Sequence, residues 1–476
     1  MSKFSMCLKQ AIEASGYSIY SISKEINYDR STLTNYLNGK RKMPKDVFVK
    51  LLSKLNITEV TKTNLIKMFH KDIFETDFER FETIRQAFLT YNKISFSEQS
   101  INLTSSYIEE TTLNNITNII GELAIKNAIK SIIALELRNE KPTILFNLDL
   151  SDKELFYIIQ SAYMNANDKM YINSIISFSI NERNSDNNFS KFINILPLLL
   201  NGYCPYYYFT EQSMESALSL LFPYYVITSK KAIVISTNFD QAIIFSDKDM
   251  LNAYKKEFAS KIVKYKRFKY ESAYFLKMPY VFSNCITPYK KHTIYCFNER
   301  FCALPFLTKE HLTYMFSDSA NNYNEIILEL QKCYELVNDY VAFTPVESLF
   351  EFVKTGKEGH TSNNYSKPLT IHQRIEVLKS IRTVIDNGGG YYFVEKSNFF
   401  CNNLTFNLMS DSKIIFFTFE QYADKDSMFV LSTPNGLLKG LKPFFKCLEK
   451  SCYVLSKEKS LQAIDEGIKY ANSLLD

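Results

Sequence analysis

The sequence predicts an α+β multidomain chain in three parts: a small all-α head at residues 1–57, a helical linker at 58–94, and a large C-terminal α/β body. Three observations carry this prediction. Apolar residues recur at three- and four-residue spacings as far as about Asn92, helical patterns then alternate with short β-branched and aromatic runs, and nearly all the excess positive charge lies in the first 56 residues. With 476 residues, 46% of them apolar, the chain can build two to four domains with sizeable cores.

The head reads as four helices in order. Leu8, Ala11 and Ile12 give the first its apolar stripe. Ser18 caps the second, in which Ile22 and Ile26 lie four apart on one buried face and Ser23 is small where two helices must approach. Asn27 stands at the corner, which needs a residue tolerant of a left-handed backbone. Asp29 caps the third helix, whose Leu33 and Tyr36 turn inward. Pro44 precedes the fourth, where its missing N–H costs nothing, and Val47, Phe48, Leu51, Leu52 and Leu55 form the stripe of that helix.

Two short helices joined by a tight turn and followed by a basic knuckle form a helix-turn-helix pattern, which makes DNA the first partner to consider. Arg30, Ser31, Thr34 and Asn35 remain on one polar face near the start of the third helix, the part of a recognition helix that reaches base edges. Arg pairs bidentately with guanine and Asn with adenine, so this face has the chemistry to discriminate bases. Charge agrees. Residues 1–56 carry ten Lys or Arg against four acids, a net of +6, while the remainder holds 46 basic against 47 acidic side chains.

Residues 4–57 closely resemble the Cro and lambda-repressor type of regulator, the XRE family. The resemblance rests on Gly16-Tyr17-Ser18, on the Arg30-Ser31-Thr32 opening of the third helix and on the Asn38-Gly39-Lys40-Arg41 exit, all without gaps. It implies a lambda-repressor-like fold with double-stranded DNA as partner, with Arg30, Ser31, Thr34 and Asn35 facing bases. Ser18, Thr32, Asn38, Lys40, Arg41 and Lys42 would contact phosphate. Three positions depart from the pattern: Ile19 replaces a usual Gln, Asn27 a usual Gly, and Leu37 an often acidic, exposed residue, the last pointing to packing against the rest of the chain.

In the linker, Leu65, Phe69, Phe74, Phe81, Ile84 and Phe88 extend a helical stripe that suits either a dimer seam or an ordinary core, and His70 reads as a helix-surface residue. The body divides into lobes at 95–270 and 271–476. In the first, a helix near Thr112–Leu137 is followed by strands at 142–150 and 170–179 around a helix at 152–166, then by strands at 224–229, 231–236 and 241–246 and a helix at 247–264. In the second, a helix at 371–386 stops at Gly388-Gly389-Gly390; strands follow at 391–394, 404–408, 413–419 and 428–432, then helices at 438–450 and 457–475. The succession of strand, loop, strand and Lys-rich helix in Lys231–Phe258 recurs in Lys413–Phe445, which suggests two similar lobes with a cleft suited to a small molecule or peptide.

Other chemistry finds little support. Five histidines (His70, His292, His311, His360, His372) lie far apart, nine cysteines lack CxxC spacing, and no phosphate loop, nucleophile elbow or kinase signature occurs, so no metal, cofactor or catalytic residue is expected. With no signal peptide or apolar span in view, a cytoplasmic protein is expected. Tyr203, Tyr206, Tyr207, Tyr208 and Phe209 cluster around Pro205, fitting a ligand pocket, a subunit interface or plain core packing. The expectation is a sequence-specific transcriptional regulator that binds a near-palindromic operator as a homodimer, its body sensing a small-molecule or peptide effector, with no membrane partner. Two alternatives stand beside it: a peptide-responsive quorum-type regulator with a helical-repeat body, and an enzyme or toxin-system component autoregulated through its head.

Overall fold

The computed structural model describes residues 2–93, 116–150, 152–164, 170–180, 185–200, 203–210, 221–274, 293–317, 327–328, 340–359, 366–395, 405–410, 413–418, 427–432, 437–438 and 440–475. The head comprises α1 (Lys3–Ala14), α2 (Ile19–Glu25), α3 (Arg30–Leu37) and α4 (Lys45–Lys54). Leu8, Ile22, Leu33, Phe48 and Leu51 meet in one core, and α5 (Glu59–Phe74) closes it with Leu65 and Phe69. The Phe48 and Phe69 rings stack at 4.4 Å, and Phe4 meets both edge-on. Leu37 lies fully inside this same core, so its departure from the family pattern serves the head's own packing.

The linker stripe is not one helix. α5 ends at Phe74, a short 3-10 turn spans Glu75–Asp77 with Glu75 at φ 51, and α6 (Phe78–Lys93) resumes. The apolar period runs through the break because aromatic residues on both helices face shared neighbours.

The chain folds as two units: Met1–Arg85 with Ala273–Met428 and Gly440–Asp476, and Gln86–Ser272 with Phe429–Lys439. In the second of these, β1 (Ile116–Ile120) leads into α7 (Glu122–Glu136), β2 (Thr143–Asn147), α8 (Lys153–Met164), β3 (Tyr171–Ser179), α9 (Ser185–Leu200) and β4 (Tyr206–Thr210). Then come β5 (Tyr224–Ile227), β6 (Ala232–Ile235), β7 (Gln241–Phe245), α10 (Lys248–Lys264) and β8 (Lys266–Arg267). The sheet runs β1-β7-β6-β5-β2-β3-β4-β8; β2, β3 and β4 are parallel, and β5, β6, β7 and β1 continue from β2 as antiparallel neighbours.

The helix expected near Thr112–Leu137 begins only at Glu122. Isoleucines at 116, 119 and 120 fit either period, and here they form strand β1, which Gly121 at φ 96 turns into the helix. Residues 112–115 of that expected helix lie outside the described residues. Lys126, almost buried on α7, holds Glu122 at 2.7 Å and Asp152 at 2.6 Å, fastening α7 to the start of α8. Two members of the tyrosine cluster belong to the core: Tyr203 and Tyr207 are buried, the Tyr203 hydroxyl donates to Ser174 Oγ, and Tyr207 packs on Phe268 at 4.7 Å, while Tyr206, Tyr208 and Phe209 are half-buried.

The chain continues through β9 (Lys269–Tyr274), β10 (Ile294–Phe297), α11 (Lys309–Met315), β11 (Tyr340–Pro345), α12 (Val346–Thr355), α13 (Ile371–Asp386) and β12 (Tyr391–Val394). It closes with β13 (Thr405–Ser410), β14 (Lys413–Thr418), β15 (Ser427–Ser432), α14 (Leu441–Lys450) and α15 (Lys457–Ser473). Here β10, β11 and β12 are parallel, β13 is antiparallel to β10, and β14 is antiparallel to β13. The order β12-β11-β10-β13-β14 therefore repeats β4-β3-β2-β5-β6 in sequence and sense. Phe146-Asn147 closes the first parallel strand of one set, and Phe297-Asn298 closes or directly follows that of the other. Among the described residues no helix is long and apolar enough to cross a membrane.

Candidate nucleic-acid interface

The turn between α2 and α3 is built from local polar chemistry. Ser18 Oγ accepts from the Ser21 N–H at 3.1 Å while Ser21 Oγ accepts from the Ser18 N–H at 2.9 Å, a reciprocal capping box. Asn27 takes the corner at φ 49. Asp29 Oδ1 then accepts from the Thr32 N–H and from the Ser31 hydroxyl, each at 2.7 Å. Hydrogen bonds from Thr32, then from Ser31, hold the Asp29 carboxyl down at about 2. A fixed negative charge therefore faces the positive end of the α3 dipole.

Within α3, positions 30, 31, 34 and 35 fall on one side by helical spacing. Arg30 and Ser31 are exposed, Thr34 and Asn35 half-buried. Ser31 gives its proton to Asp29, which leaves its oxygen to accept from a ligand, and Thr34 Oγ1 donates back to the Arg30 carbonyl at 2.8 Å. The Arg30 guanidinium lies over the Tyr20 ring at 5.7 Å, and Lys24 Nζ lies over the same ring at 4.6 Å. Tyr20 was not legible as a site residue. Its only sequence signal is the i,i+4 spacing to Lys24.

The residues assigned to phosphate contact are spread around this face. Asn38, Lys40 and Arg41 are exposed just beyond α3, where Gly39 at φ 70 turns the chain and the Lys40 N–H donates to the Asn35 carbonyl. Ser18 is exposed, with its hydroxyl engaged in the capping box; Thr32 is half-buried and gives its N–H to Asp29. Lys42 is exposed and ion-paired with the Glu75 carboxylate in the 3-10 turn, a partner 33 residues away that local reading could not supply.

Another part of the head is occupied. His70, expected on the surface, is completely buried: its ring stacks on Phe74 at 5.1 Å, with Phe81 and Tyr453 close by, and its Nε2 accepts from the Cys452 N–H at 3.0 Å. Burial, then the charges of Arg85 and Lys45, push its pKa down to about 3. Lys45 Nζ donates to the carbonyls of Glu449 and Val454, and Phe81 stacks on Phe444 at 5.4 Å. This docking draws on α4, α5 and α6, and leaves Arg30 and Ser31 in solvent.

Comparison with known proteins agrees with the head alone. Residues 8–61 match the family model described as Helix-turn-helix. No curated protein matches the chain. One solved structure that it is similar to is that of TrmBL2, an archaeal chromatin protein reported to show a novel mode of DNA binding. Identity is 12%, with 49% of this chain and 87% of that chain covered, at a TM-score of 0.23, a likeness too slight to bear on fold or function. The chain's likeness to the XRE type of helix-turn-helix thus rests on residues 8–61, the segment that the family model matches.

Proposed function

We propose that the protein is a sequence-specific DNA-binding transcriptional regulator, with α3 as its recognition helix. The observation that carries this reading is the exposure of Arg30 and Ser31 on a properly capped α3 in a head of net charge +6. Arg30, Ser31, Thr34 and Asn35 read bases; Ser18, Thr32, Asn38, Lys40, Arg41 and Lys42 hold the phosphate backbone. Lys42 does so after leaving Glu75.

A single head of this size covers little DNA, so useful affinity calls for two heads on a near-palindromic operator, and we assign the active form as a homodimer. The body is a non-catalytic sensing and dimerisation module that works in the cytoplasm. The repeated strand order supports reading it as two similar lobes, and its sheets weigh against a helical-repeat receptor.

Electrophoretic mobility shift on operators recovered by genome-wide footprinting tests the assignment. Arg30→Ala is expected to cost about 1–3 kcal/mol of specific affinity and to relax preference at one base position, whereas Lys40→Ala weakens all sequences alike and lowers the salt slope by about one. Equal loss on specific and random DNA for both variants would remove α3 from base reading.

A further inference from the structure

The sheet ordered β1-β7-β6-β5-β2-β3-β4-β8 has two edges, and they are built in opposite ways. At one end β8 has only Lys266 and Arg267, both exposed and both cationic. A short, charged edge strand resists pairing with another chain. At the other end β1 runs for five residues, Ile116–Ile120, with no charge, no proline and no shift of register. Among the described residues it pairs with β7 alone. Its exposure alternates: Ile116, Asn118 and Ile120 lie on an open face, Ile116 at 59% and Ile120 at 80% accessible, while Thr117 and Ile119 are half-buried on the other. Leu123, 69% accessible in the first turn of α7, adds apolar surface just past the strand. None of the usual protections of an edge is present on β1.

The backbone of β1 sets the register of any strand added to it. The Gly121 N–H donates to the Asp240 carbonyl at 2.9 Å, one step beyond the Ile120–Gln241 pair of the β1–β7 ladder. Bonded and non-bonded positions alternate along an antiparallel ladder, so 117 and 119 spend their main-chain groups on β7. Ile116, Asn118 and Ile120 therefore turn their N–H and C=O groups to the open side. The segment Ile-Thr-Asn-Ile-Ile reads nearly alike in both directions about Asn118. When an antiparallel copy is laid against it with Asn118 facing Asn118, Ile116 falls opposite Ile120 at both ends. These are the three positions with outward main-chain groups, and each such pair exchanges both of its N–H···O=C bonds.

We propose that β1 is the dimerisation edge of the body, pairing antiparallel with β1 of a second copy of this chain about a two-fold axis at Asn118. The strand carries no charge to repel its own copy, and its isoleucines meet as cross-strand pairs. Because β8 blocks the other edge, assembly closes at two instead of growing into a fibre. The use of the dimer, to bring two heads to one operator, rests on the regulator reading above.

Sedimentation velocity of the full-length chain across the micromolar range is the test, together with hydrogen exchange at the 116, 118 and 120 amides. The parent is expected to be a dimer, with exchange at those amides slowing as protein concentration rises. Asn118→Lys and Asn118→Asp each set like charges face to face on the axis and should weaken self-association at least about tenfold. Mixing the two variants should restore a dimer, since the facing charges are then opposite, a rescue that only this register gives. A monomeric parent, an Asn118→Lys variant that associates like the parent, or a mixture no tighter than its components overturns the proposal. Amides protected in a monomer would assign the edge to a segment of the same chain and overturn it equally. If circular dichroism shows either variant misfolded, hydrogen exchange of the parent decides alone, and exchange independent of concentration is then the adverse result. Mobility shift on operator DNA keeps the two readings apart: specific retardation by a chain that does not dimerise through β1 sinks the interface and leaves the regulator, whereas a β1 dimer without DNA binding does the reverse.

Discussion

The main-chain N–H of Cys452 donates to His70 Nε2 across 3.0 Å and 382 residues of sequence, so the head's fifth helix is hydrogen-bonded to the turn after α14. Neutral imidazole is what that bond requires, because Nε2 must offer a lone pair.

Acid should therefore loosen the head. In an unfolded chain His70 takes up a proton below about pH 6.5, whereas in the fold it stays neutral down to about 3. Stability is complete above the upper value and declines as pH falls through the window, by at most about 1.4 kcal/mol per pH unit. Urea midpoints measured from pH 7 to pH 4.5 should show this slope in the parent and a flatter one in His70→Gln. Parallel slopes would remove His70 as the source.

Removing the α3 cap should blunt DNA recognition before it unfolds the protein. Asp29→Ala leaves the Thr32 N–H and the Ser31 hydroxyl without their shared acceptor, so the expected outcome is a lower melting temperature and a weaker specific mobility shift, with Asp29→Ser restoring part of both. The cap's contribution is full above about pH 4 and fades as pH falls toward about 2, because the folded carboxyl titrates there.

Freeing Lys42 should strengthen non-specific binding. Both partners of the Lys42–Glu75 pair are well exposed, with side chains 58% and 65% accessible, so Glu75→Gln should leave the fold intact. Affinity for random duplex DNA should then rise roughly a few-fold at low salt, with a slope against log salt steeper by up to about one. Titrations at several salt concentrations check this, and an unchanged slope would mean that Lys42 does not reach phosphate.

Truncating the aromatic seam should undock α6. Phe81 and Phe444 are both fully buried and stacked, so Phe444→Ala is expected to cost about 3–5 kcal/mol in urea unfolding of the full chain, and Phe444→Leu distinctly less. Similar values for both would indicate that the ring–ring contact is not what holds the helix.

Local chemistry was legible in the sequence, and distant chemistry was not. Ser18 and Asp29 cap the helices they were expected to cap, and Asn27 holds the positive φ expected at the corner, because each acts on neighbours within three residues. α13 stops at Gly388, whose φ of 75 few other residues accept. By contrast, His70 looked like a surface residue since Cys452 and Tyr453, which bury it, are invisible to any local window. The ion pair of Lys42 was not legible because Glu75 lies beyond α4 and α5, and β1 was hidden by isoleucines that satisfy two periodicities at once. Of the recognition face, spacing showed the four polar positions but not the Tyr20 ring beneath Arg30.

The bond between His70 and Cys452 also sets a schedule during synthesis. Ribosomes add roughly 5–20 residues per second, so the aromatic face of α5 and α6 emerges roughly 20–80 s before the turn that covers it has been made. For that interval Phe74 and Phe81 are sticky, solvent-facing rings on a nascent polypeptide, and a holdase chaperone that shields them would raise the yield of native protein.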